Sequence, residues 1–174
     1  MTGTQLYLTV FRIIHIFSAV TWVGGGIFLL SVLTPTVRDA GPDGGRFMLQ
    51  LSKYGRLGRL LTVSSLLTVL AGLLLFYPTT GGLNASYLTS PNGITLTIGA
   101  IIGLLAFLHG AFVSGPVTRK MEAVAKQILD GKGPPAPELM QQAQALGIKL
   151  GSNAGISVGL AALALLFMAA AQTI

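Results

Sequence analysis

Two histidines, His15 and His109, are the only imidazoles in a chain of 174 residues, and both fall inside long apolar stretches. An ionisable side chain at membrane depth is costly, so each marks a functional position by default. A neutral imidazole hydrogen-bonded across a helix interface is the alternative, and it stays open for both. At helical spacing Arg12, His15, Ala19, Trp22 and Gly26 share one face. A cation one turn above an imidazole, with a small residue one turn below, suits a tetrapyrrole. Imidazole would ligate iron, Arg12 would meet a propionate near the headgroups, and Ala19 would leave room for the ring. Arg12 snorkelling to the interface and Trp22 acting as packing are the competing readings.

Depth limits how such groups combine. His15 precedes the middle of its apolar stretch and His109 follows the middle of its own, so they differ in depth by roughly 13 Å at 1.5 Å per residue. A single upright haem held by both is therefore disfavoured. The expected cofactor is haem b in one or two copies, with His15 and His109 as the metal ligands. Met168 reaches the depth of His15 and offers a thioether as a second axial ligand, or else simply fills a gap. Gly72 lies at the same depth and could face a porphyrin.

The elements that must position these groups follow from composition. Only 9% of residues are charged and 52% are hydrophobic, with a mean hydropathy of +0.74; a soluble domain carries roughly a quarter charged residues. Four stretches, about residues 6–34, 57–77, 94–117 and 148–171, meet the requirement of about 20 apolar residues for crossing the bilayer. In lipid the backbone must satisfy its own hydrogen bonds, so these stretches are helical. The expected fold is an all-α integral membrane four-helix bundle in one domain. Residues 38–59 and 119–149 hold ten of the eleven basic side chains, whereas the connection over residues 78–93 carries no charge. The positive-inside rule then places both termini outside, in a multi-pass protein of a bacterial cytoplasmic membrane.

Pro35, Pro78 and Pro116 are expected to close the first three spans. The mixed apolar and basic runs over residues 46–54 and 120–129 are expected to form short interfacial helices, the second ended by Gly131. Gly151, Gly155 and Gly159 form a small-residue stripe on the fourth span, and Gly99, Gly103, Ala106 and Gly110 form another on the third. Each predicts close helix contact or a flat cleft. The absence of cysteine excludes disulfides and thiolate sites. No nucleotide-binding or hydrolase motif is present, and the placement of the basic residues beside spans argues against nucleic acid. All five carboxylates lie in the basic connections, which argues against a proton-coupled transporter.

Tyr7-Leu-Thr-Val-Phe-Arg12-Ile-Ile-His15, followed by Trp22 and Gly24, resembles the first span of HemJ-type protoporphyrinogen oxidases. Leu104-Leu-Ala-Phe-Leu-His109, followed by Arg119-Lys120-Met121, resembles their third span, and the wider group includes CopD-like four-span proteins. The resemblance implies that His15 ligates haem, that Arg12 is its basic neighbour and that His109 belongs to a second site. The oxidases carry a third-span lysine, whereas residues 92–118 contain neither Lys nor Arg. Electron transfer between a quinol or partner redox subunit and another centre is therefore expected ahead of porphyrinogen oxidation. A non-catalytic subunit of a larger membrane complex is a further alternative, and a homo-oligomer is expected.

Overall fold

Intrahelical hydrogen bonding, the only economical way for this backbone to sit in hydrocarbon, governs almost the whole chain in the computed structural model, which describes residues 2–171. Among these there is no strand. Four helices are long and apolar enough to cross a membrane: α1 (Gly3–Asp39), α3 (Arg56–Thr79), α5 (Pro91–Asp130) and α6 (Pro137–Ala170). Two shorter ones intervene, α2 (Gly41–Lys53) and α4 (Ala85–Leu88). Helix starts are chemically marked. Thr2 and Gln5 form a reciprocal capping box before α1, and Ser90 caps α5 ahead of Pro91.

Prolines do not stop the spans as expected. The first helix runs through Pro35 to Asp39, and the third through Pro116 to Asp130. A proline ring clashes with the carbonyl four residues back and supplies no N–H. The helix absorbs this with π turns just upstream, Leu29–Leu33 before Pro35 and Gly110–Ser114 before Pro116. Thr34 Oγ1 donates to the Leu29 carbonyl at 2.7 Å, beside the backbone N–H of Thr34, which donates to the same oxygen. Pro78 lies in the last turn of α3, where the second span ends as anticipated.

The bundle is two antiparallel pairs, α1 with α3 and α5 with α6. The pairs meet near mid-bundle, where Val23, Ala106 and Ala161 are buried against Trp22 and Leu160. Toward the outer end, α1 packs almost wholly on α3. Two of the third-span glycines serve close contact: a Cβ at Gly99 would lie 3.1 Å from Met168 Cγ, and one at Gly103 would lie 3.6 Å from Ala164 Cβ, whereas one at Gly110 would meet nothing within 4 Å. The fourth-span stripe does not. Gly151, Gly155 and Gly159 have no described neighbour where a Cβ would project, because α6 turns Asn153, Ala161 and Ala164 to the bundle instead.

The inner connections also differ from expectation. A helix of 40 residues is about 60 Å long, twice the roughly 30 Å of hydrocarbon. The run over residues 120–129 is thus the tail of α5 and not a separate interfacial helix, although it does end at Gly131. This tail, α2 and the start of α6 pack on one another around Leu49, Met121, Val124, Ala125 and Ala143. They bury these side chains in a small three-helix cap. Gly55 makes the tight joint between α2 and α3 in the left-handed region, at φ 57°. Lys53 pairs with Asp130 across the cap, which holds the ammonium charged to a higher pH than usual through their hydrogen bond. Leu49 is 8% exposed. Leu49→Ala is expected to lower unfolding stability by about 2–3 kcal/mol, measured by denaturation in detergent micelles, and to leave the spans assembled.

Candidate functional site

His15 sits on the N-terminal half of α1, and its ring lies against α3. Its Nδ1 is 2.7 Å from the backbone carbonyl of Thr68. A carbonyl only accepts, so Nδ1 carries the proton and Nε2 presents a lone pair. No described residue hydrogen-bonds that Nε2. The ring edge rests directly on Gly72: a Cβ there would fall 2.9 Å from His15 Cε1 and 3.1 Å from Nδ1. Gly72 therefore seats the imidazole. Depth arithmetic had brought the two residues to one level but could not tell which group would occupy the space.

His109 ends the regular part of α5, just before the Gly110–Ser114 π turn. Its Nδ1 is 2.8 Å from Ser157 Oγ of α6. A serine hydroxyl donates or accepts, so this bond permits the ligating tautomer without imposing it. Both rings are partly buried, and both use the same nitrogen toward protein.

The packing contacts give their separation. Gly26 of α1 lies against Val158, next in sequence to the partner of His109, so His109 stands at the level of Gly26. His15 precedes Gly26 by three helical turns, about 16 Å along the axis. The structure thus keeps the two imidazoles at different depths, as the sequence arithmetic required.

The remaining residues divide. Arg12 is exposed and lines a shallow groove of about 380 Å³ with Gln5, Leu8, Thr9, Ile13 and Ile16. It has no acidic partner among the described residues. Ala19 is partly buried on the same helix. Trp22 packs into the central contact of the two helix pairs. Met168 is held against Gly99 and Gly103 of α5. No group of three or more His, Asp or Glu able to hold a metal occurs among the described residues.

Sequence reasoning misses Ser114 and expects Asn153, a polar residue just inside the fourth span, to hydrogen-bond across a helix interface. Asn153 Nδ2 and Ser114 Oγ are buried and have no hydrogen-bond partner. Asn153 was visible as a polar residue within a span, whereas Ser114 gave no signal, because the π turn that places it is a tertiary outcome.

These features define a four-span integral membrane bundle with one imidazole on each side of its central contact. The chain matches no protein-family model, no curated protein and no solved structure.

Proposed function

We propose that this chain is a b-type haem membrane protein that carries electrons between a quinol or a partner redox subunit and another centre. The observation that supports it most is the state of His15. A backbone carbonyl orients the ring and fixes the Nδ1–H tautomer, leaving Nε2 as an unused ligand at membrane depth. A second hydrogen bond of that kind is the usual support of a metal-binding imidazole and raises its basicity. The donor set fits haem. His15 would hold an outer haem and His109 an inner one. The outer flank of α1, which α5 and α6 leave largely uncovered, gives a flat ring access, and Arg12 stands on that helix one turn outward to meet a propionate.

Haem, when bound, supplies one-electron chemistry; the protein supplies axial ligation, orientation and an apolar surround that sets the potential. Two centres at different depths would give electrons a path across part of the bilayer, with both termini outside in a bacterial cytoplasmic membrane. Protein purified after haem-replete expression is expected to show a Soret band, and its pyridine-haemochrome spectrum is expected to report two haems b per chain. Absence of any Soret band sinks the proposal; a single haem per chain confines it to one histidine.

A further inference from the structure

Half of α5 carries a line of polar residues that runs from His109 toward its basic end. His109, Ser114, Thr118 and Glu122 follow one another at intervals of about one helical turn. The first interval is one residue longer than an α-turn allows, and the Gly110–Ser114 π turn takes up the excess. Pro116 thereby swings Ser114 back toward the face of His109. On the antiparallel α6, Asn153 lies one turn inward of Ser157, the partner of His109. Ser114 and Asn153 therefore stand at the same level, one turn inward of the His109–Ser157 bond, on elements that touch.

Both polar atoms at this level are unpaired. Asn153 is 8% exposed, yet its Nδ2 finds no acceptor. Ser114 Oγ is buried and equally alone. A buried amide N–H left without a partner keeps its full desolvation cost, and native interiors relieve such groups with ordered water. The surroundings of His15 are a useful contrast. Ser64, Ser65 and Thr68 are buried there too, but every one of their hydroxyls donates to a helix carbonyl. Nothing near His15 calls for water in this way.

The line continues toward the basic end. Thr118 Oγ1 donates to the Ser114 carbonyl at 3.1 Å, and its methyl lies against Gly58. Glu122 follows, partly buried, with its carboxylate against Gly55 and Gly58. The two glycines keep α3 clear of this edge, since a Cβ at Gly55 would fall 2.7 Å from Glu122 Oε1.

We propose that the α5–α6 junction inward of His109 is an internal water site. Water bridges Asn153 Nδ2 and Ser114 Oγ and exchanges with the inner aqueous phase along Thr118 and Glu122. A water there finds the two to four polar partners it needs, with Ser157 Oγ as a third. The inner imidazole then has a hydrated route to one compartment, which the outer one lacks. The inference holds whether or not haem is bound.

The chain has three asparagines, Asn84, Asn92 and Asn153, and no cysteine, so two clean experiments are open. Full-length protein labelled with 15N-asparagine in lipid bilayers is examined by solid-state NMR for polarisation transfer from water. Transfer to the Asn153 side-chain amide is expected, with Asn84 and Asn92 in the outer connection as internal references. A reduction of about threefold or more in Ser114→Ala, which loses one side of the bridge, is expected. A signal from Asn84 and Asn92 with none from Asn153 overturns the proposal, and the wild-type measurement needs no variant to fold.

Access is then read with Thr118→Cys in oriented vesicles, using a small membrane-impermeant thiosulfonate. Reaction from the basic side about tenfold faster than at lipid-facing Phe112→Cys is expected, because the thiolate forms only in water. Equal, negligible rates at both positions overturn the inward route. Haem content plays no part in either readout, so failure here is distinguishable from failure of the haem proposal.

Discussion

His15→Ala is expected to halve the haem of the purified protein, removing the outer centre and leaving the inner one with its spectrum intact. His109→Ala is expected to do the converse, and the double variant to contain none. The reason is separation. About 16 Å of helix lies between the two levels, whereas the axial nitrogens of a single haem face each other across one iron. The contacts that carry this argument are independent: Gly26 against Val158, and His109 bonded to Ser157. Each variant removes only an imidazole from a partly buried position, so the fold is expected to survive, and far-UV circular dichroism serves as the check. The readout is the amplitude of the reduced-minus-oxidised Soret and α bands per chain. Complete loss in both single variants would mean one shared haem and would overturn the separation. Full amplitude in both would mean that neither imidazole ligates iron.

Gly72 should be almost as sensitive as the ligand itself, although it touches no metal. The Thr68 carbonyl that orients His15 belongs to the backbone and cannot be removed by substitution, so the lever is the residue beneath the ring. A Cβ at position 72 would sit 2.9 Å from Cε1, closer than real side chains approach. In Gly72→Ala the imidazole must retreat by a few tenths of an ångström, which strains its 2.7 Å bond to Thr68. Loss of such an orienting bond costs about 10–100-fold in metal affinity, so Gly72→Ala is expected to weaken outer-haem retention by that order. Gly72→Val, with two further methyls in the same space, is expected to abolish it.

The global fold should respond far less to Gly72→Ala. Replacing glycine by alanine within a helix gains about 0.5–1 kcal/mol, and overpacking costs about 1–3 kcal/mol, leaving a net loss of about 2.5 kcal/mol at most. The two effects separate in one experiment, a spectral titration with haem alongside detergent denaturation. Unchanged haem affinity in Gly72→Val would show that the ring seen against Gly72 is not the ligating group.

Much of this architecture is legible before folding. Four apolar stretches, separated by basic and neutral connections, require four helices, because hydrocarbon offers the backbone no other partner. The depth of each histidine follows from counting along a helix, since the rise per residue is constant. Those quantities are properties of one helix at a time, and for them the chain is sufficient. Direction is different. Gly72 and His15 share a level in any arrangement, but whether glycine meets imidazole or an open cleft depends on how α1 and α3 rotate about their axes. The same rotation of α6 leaves the Gly151, Gly155 and Gly159 stripe facing outward and buries Asn153. Prolines were misleading for a related reason. Read locally, Pro35 and Pro116 end helices; within a packed bundle it is cheaper to keep the long apolar rod continuous and insert a π turn. That turn re-phases Ser114 toward His109, a placement that no local rule contains. Period and depth belong to the covalent chain and its solvent, whereas azimuth is decided only when the helices compete to bury their faces against one another.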